Sequence, residues 1–228
     1  MTASALAAAV QRIGQIQPHL SGFGAVMLAI VALGATFIRA IWPITRHLTV
    51  LAHEGAHAFL ASALGHKING ITVDRKANGL TSHSGGSGAL GLFSITFVGY
   101  LGPSAFGVGA AELIRIGHIV AVLWTGLAGL IAILFVIRKS FGIITVAVIF
   151  LLLFGIAGFA AVSVQVLTAY GITWFLLVSG AWVIKDHGRD AADAGKLRQR
   201  TKISPSFWSG VWQLGSLLAL VFGAILLI

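Results

Sequence analysis

Val50-Leu51-Ala52-His53-Glu54-Gly55-Ala56-His57-Ala58-Phe59-Leu60 sets two histidines and a glutamate inside a run that otherwise reads as membrane-embedded helix. An ionisable side chain at the centre of a bilayer costs about 2.5–3.5 kcal/mol or more, so such residues are expected to face protein and to be paired, ligated or functional. On a helix, positions i and i+4 share a face, so His53 and His57 can aim imidazole nitrogens at one metal ion. Glu54 is next to the first and three residues from the second. It is close enough to take a proton from an activated water without being a ligand, the arrangement of an HExxH zinc peptidase. Gly55 and Ala56 leave room beside the metal for a substrate.

The composition around this stretch is that of a membrane protein. The chain has 228 residues, 57% hydrophobic and 9% charged, and a mean hydropathy of +0.97, against about 25% charged residues in a soluble domain. At about 20 residues per crossing the length suits six or seven transmembrane helices in one domain, 1–228, with no room for a separate soluble unit. The absence of cysteine excludes disulfides, thiolate ligands and a cysteine nucleophile.

Apolar runs are expected at Gly22 to Ala40, Ile44 to Leu64, Ala89 to Glu112, Ile119 to Ile137, and Phe207 to Ile228. Phe141 to Ile184 is 44 residues without a charge, too long for one crossing, and is divided near Gly158 to Ser163. Residues 1–20 form an N-terminal amphipathic segment, with Leu6, Val10 and Ile13 at helical spacing before Pro18. Pro43 and Gly65 punctuate the HExxH helix, and its many small residues suit a central position. Residues 66–88 are polar. Two β-prone triplets, 71–73 and 80–82, flank Asn78-Gly79, which predicts a short β-hairpin after the metal-binding helix. Pro103, within Gly99-Tyr100-Leu101-Gly102-Pro103, is expected to bend or break its helix. The fold expected is thus an all-α polytopic membrane protein carrying one hairpin.

The excess of 15 basic over 6 acidic residues sits in short segments between apolar runs. It therefore reads as topology, and nucleic acid is not expected as a partner. Counted on seven crossings, all of the 15 basic residues except Arg39, Arg46 and Arg115 share the side of the N-terminus. The positive-inside rule then puts the N-terminus, the hairpin and a charged 185–206 segment in the cytoplasm and the C-terminus outside, with the HExxH helix running inward. The setting expected is a cell membrane with the N-terminus in the cytoplasm.

Zinc requires a third protein ligand and, for catalysis, an open fourth position. Apart from Glu54 the carboxylates are Asp74, Glu112, Asp186, Asp190 and Asp193. Asp186, Asp190, Asp193 and the imidazole of His187 all fall in the charged segment, and spacing alone does not choose among them.

His53-Glu54-Gly55-Ala56-His57, the Gly79-Leu80-Thr81 turn, Gly99-Tyr100-Leu101-Gly102-Pro103, and Asp193-Ala194 with Leu197 and Thr201 resemble, in that order, the bacterial membrane branch of the site-2 protease family of intramembrane zinc metalloproteases. The resemblance implies that His53 and His57 are zinc ligands, Glu54 the catalytic base and Asp193 the third ligand. It implies Zn2+ as cofactor, membrane-protein or peptide substrates, and a bacterial cytoplasmic membrane as the setting. It also implies that the polar segment after the HExxH helix can take substrate as an added strand. Two departures stand out: the family's Asp-Gly is Asp193-Ala194 here, and no Asn follows Gly102-Pro103. The rival readings are a metal-binding or metal-transporting membrane protein, with His47, His66, His83 and His118 along its path, and a non-catalytic family member that binds membrane proteins. Glu54 favours the enzyme, because a transporter needs ligands but no base beside them.

Overall fold

A computed structural model describes residues 3–186 and 192–228. Nine α-helices are found among them: α1 Ala3–Gln11, α2 Gly22–Phe37, α3 Trp42–Ala63, α4 Gly88–Arg115, α5 Ile119–Val136, α6 Ser140–Phe159, α7 Val162–Asp186, α8 Ala192–Thr201 and α9 Pro205–Leu227. Three strands, β1 Lys67–Val73, β2 Gly79–Ser84 and β3 Ile137–Arg138, form a sheet in the order β2-β1-β3. The protein is therefore all-helical apart from one small sheet, as expected.

Helix starts follow local chemistry. Ser21 accepts a hydrogen bond from Gly24 N at 3.2 Å and caps α2; Ser204 accepts one from Phe207 N at 3.3 Å and caps α9. The division of the long uncharged run falls at Ala160–Ala161, between α6 and α7. There the buried Gln165 side chain donates to the carbonyls of Ala157 (2.9 Å), Ile156 and Ala160 (both 3.2 Å). One amide thus bridges carbonyls on both sides of the helix end, where hydrocarbon offers no other donor.

α4, α5, α6, α7 and α9 are each long and apolar enough to cross a membrane, and the bent pair α2–α3 makes a sixth span when taken together. This pair changes the expected path. α2 and α3 meet at 101°, and both ends of α3 lie at the sheet end of the bundle. At its N-terminus the Trp42 indole donates to Asp186 Oδ2 at 3.0 Å, at the end of α7. Just past its C-terminus, His66 Nε2 is 2.7 Å from Ser87 Oγ, at the start of α4. The HExxH helix thus lies across one end of the bundle and does not run through it. Trp42-Pro43 starts α3 after a connection too short for a gradual bend.

The N-terminal segment sits at the opposite end. Gln17 N donates to Gly117 O at 2.9 Å, Gln17 Oε1 accepts from Val120 N at 3.0 Å, and His19 meets the Tyr170 hydroxyl at 3.4 Å. α2 then runs the length of the bundle, so that the Phe37 ring lies 4.6 Å from that of Trp182. Residues 1–20 and the hairpin thus lie at opposite ends of the bundle, whereas the sequence led us to expect them on one side. That expectation took α2 and α3 as two separate crossings, and the bent pair counts as at most one span.

Two other expectations are refined. α4 is unbroken through Pro103; the proline forgoes one hydrogen bond, toward Gly99, while its buried ring packs against α7 beside Gly180. The hairpin is present, its strands longer than the two triplets and joined by residues 74–78. Asp74 Oδ1 accepts from Lys76 N at 2.8 Å and Asn78 N at 2.9 Å, an Asx-type closure, and Ala77 takes φ of 55°. Beyond the hairpin, β3 joins β1 in parallel, pairing Ile71 with Ile137 and Thr72 with Arg138.

Candidate metal centre

α3 brings His53, Glu54 and His57 to the floor of a cavity of about 570 Å³, walled by β2, the first half of α4 and α8. His53 Nε2 and His57 Nε2 are 3.1 Å apart. Asp193 Oδ2 is 3.2 Å from the first and 3.1 Å from the second. Three donor atoms at these separations nearly form one face of a tetrahedron, whose edge is about 3.3 Å for bonds of 2.0–2.1 Å. All three residues line the cavity. Among the described residues, His53, His57 and Asp193 are the one group of three or more His, Cys, Asp or Glu placed to hold a metal ion. The mixed imidazole and carboxylate set, three strong and lining a cavity, fits catalytic zinc.

Each ligand is oriented by its neighbours. His57 Nδ1 lies 2.6 Å from the Ile95 carbonyl; a proton there makes the hydrogen bond and leaves Nε2 as the free electron pair. The Tyr100 ring packs edge-on to His53, centroids 4.6 Å apart. Helix α4 can approach this closely only because of its glycines. A Cβ on Gly99 would collide with His57 Nε2 and Cε1 and lie 2.8 Å from His53 Cε1; one on Gly102 would lie 2.5 Å from Ala56 Cβ. Gly99-Tyr100-Leu101-Gly102 is therefore the surface against which the two imidazoles are packed.

Asp193 arrives on α8, a helix of mixed polarity. Its buried face is Asp193, Ala194 and Leu197, the last two packed with Tyr100, Val183, Trp208 and Trp212. Its other face carries Lys196, Arg198 and Arg200. Asp193 is buried with Oδ2 set against the two imidazole nitrogens. Lys196 Nζ donates to the remaining oxygen, Oδ1, at 2.9 Å. The Asp193-Ala194 pair thus works from an amphipathic helix tucked under α4 and α9; Ala194, fully enclosed, is a packing residue.

Asp186, an alternative ligand in the sequence, is engaged elsewhere, with Trp42 and at 3.5 Å from Arg46. His187 and Asp190 lie outside the described residues. Among the described residues the other histidines join no further group placed to hold a metal ion. His47 contacts the carbonyls of Ile44 and Asp74, and His66 pairs with His83 through their Nδ1 atoms at 2.9 Å.

Glu54 is buried beside the triad, its Oε1 4.0 Å from His53 Nε2. Its other oxygen, Oε2, accepts a hydrogen bond of 2.7 Å from the Thr81 hydroxyl. A Cβ on Gly79 would collide with Glu54 Oε1 and lie 2.7 Å from its Cγ. Gly79 and Thr81 alternate with exposed residues along β2, as the two-residue period of a strand demands. That period, counted from Asn78-Gly79, was the available signal for both, whereas the Ile95 carbonyl and Lys196 carry no motif of their own.

The family model described as Peptidase M50B-like matches residues 25–223. The chain matches no curated protein and no solved structure.

Proposed function

This chain belongs to the Peptidase M50B-like family, a site-2 protease family, and from that premise we propose that it is a zinc-dependent endopeptidase that cleaves membrane-protein segments. The observation that carries this reading is the convergence of His53 Nε2, His57 Nε2 and Asp193 Oδ2 beside a buried Glu54, all opening on one cavity. His53, His57 and Asp193 would hold the ion. When bound, zinc would supply Lewis acidity at the scissile carbonyl and lower the pKa of the attacking water. Glu54 takes the proton of that water through Oε1 and delivers it to the departing nitrogen.

Substrate enters as an extended segment. A membrane-spanning helix has its carbonyls tied up in hydrogen bonds and must unwind before attack. β2 is an edge strand of the sheet, and Gly79 to His83 line the cavity. A strand laid along it would have its backbone polar groups satisfied beside the metal ligands.

The sheet end faces the cytoplasm in this reading. Of the 14 basic residues left when Arg189, outside the described segments, is set aside from 15, only Arg12 and Arg115 belong to the opposite end. That bias orients the protein by the positive-inside rule, with both described chain ends away from the cytoplasm.

The test is purification in detergent, zinc analysis, and cleavage of a fluorogenic peptide built on a single membrane span. Glu54→Gln should keep zinc and lose cleavage. A wild-type protein without zinc, or a Gln variant as active as wild type, overturns the proposal.

A further inference from the structure

We propose that Thr81 is a positioning residue for the catalytic base, holding the Glu54 carboxylate in its working orientation from strand β2. A general base beside a metal must present one oxygen to water and keep the other from turning into its place. Here the two oxygens are already distinguished. Oε1 faces His53 at 4.0 Å, while Oε2 receives the Thr81 hydroxyl at 2.7 Å. The same hydroxyl lies 3.1 Å from the Glu54 backbone carbonyl, so one side chain grips both ends of the residue. A second wall comes from Gly79, whose backbone lies so near that a Cβ would displace the carboxylate.

The hold is charge-assisted and shielded, since Glu54 is only 4% exposed, and such a hydrogen bond is short and strong. It also crosses elements. Glu54 stands on α3 and Thr81 on β2, the strand that lines the cavity. Thr81 is paired across the sheet with Ile71, which is fully buried, so the hydroxyl is set by the sheet and not by a mobile loop. The orientation of the base therefore depends on the strand beside which substrate is read.

This inference rests on Glu54 being the base, and three variants separate the two claims. Thr81→Val keeps the shape and removes the hydroxyl; Thr81→Ser keeps the hydroxyl; Glu54→Gln tests the base itself. Each is measured for thermal melting, for kcat and KM on the fluorogenic span peptide, and, after loading with Co2+ in place of zinc, for its visible spectrum. Thr81→Val should bind cobalt as wild type does, lose about 10- to 100-fold in kcat with KM little changed, and show a displaced spectrum. Thr81→Ser should restore both. Wild-type kcat and spectrum in Thr81→Val sink the inference, as does a Thr81→Ser as impaired as Thr81→Val, or a loss carried by KM. An inactive Glu54→Gln beside a fully active Thr81→Val refutes only the role of Thr81, whereas an active Glu54→Gln removes the base on which it rests.

Discussion

Adding one methyl group at Gly99 should cost the protein its metal while leaving the helices intact. The Cβ of Gly99→Ala would overlap His57 Nε2 and Cε1 and lie 2.8 Å from His53 Cε1. Carbon atoms in contact sit about 3.5–4.0 Å apart, so one or both imidazoles must retreat by roughly 1 Å. Metal–ligand distances tolerate only about ±0.2 Å. If α4 moves instead, the 2.6 Å contact from His57 Nδ1 to Ile95 O stretches, and ring orientation is lost with it. Either relaxation displaces at least one of the proposed ligands, and loss of an orienting contact alone typically lowers metal affinity about 10- to 100-fold. The control lies on the same helix. A Cβ at Gly109 meets nothing within 4 Å, so Gly109→Ala should bind zinc normally and gain up to about 1 kcal/mol from helix propensity. Zinc affinity is measured by competition with a chelator, with melting curves taken in parallel. Wild-type affinity in a folded Gly99→Ala protein would refute the packing argument, and so would an equal loss in Gly109→Ala.

Two further outcomes test the ligand set and the path of the chain. Asp193→Ala should release zinc, whereas Asp186→Ala should retain it and lose about 1 kcal/mol of stability with the Trp42 and Arg46 contacts; zinc analysis of both variants decides, and release only from Asp186→Ala reverses the assignment. Because the chain has no cysteine, single cysteines report sidedness directly. An impermeant thiol reagent should label Arg75→Cys and Ile116→Cys from opposite sides of the membrane, and Gln11→Cys from the same side as Ile116→Cys; labelling of Gln11→Cys together with Arg75→Cys would restore the seven-crossing path.

The amino-acid sequence by itself determined what depends on short-range periodicity. The i and i+4 spacing of His53 and His57 puts both rings on one face of any helix that contains them. The apolar runs set the helices, the overlong run after Phe141 demanded a break, and the polar residues 66–88 could not stay helical in lipid. The order of motifs also sufficed for the resemblance to site-2 proteases. Tertiary structure alone decided the rest, because it joins residues far apart in the chain. Asp193, 140 residues beyond His53, comes beside it, and Asp186 does not, because α8 folds its Ala194 and Leu197 against Tyr100 and Trp212. The end of the bundle at which residues 1–20 lie depends on a 101° turn between α2 and α3, which composition does not encode. The period of β2 puts Thr81 on the same face as Gly79, but its hydrogen bond to Glu54 shows only in the tertiary structure. Local patterns specify elements, whereas a metal centre built from α3 and α8 exists only where packing brings their side chains within bonding distance.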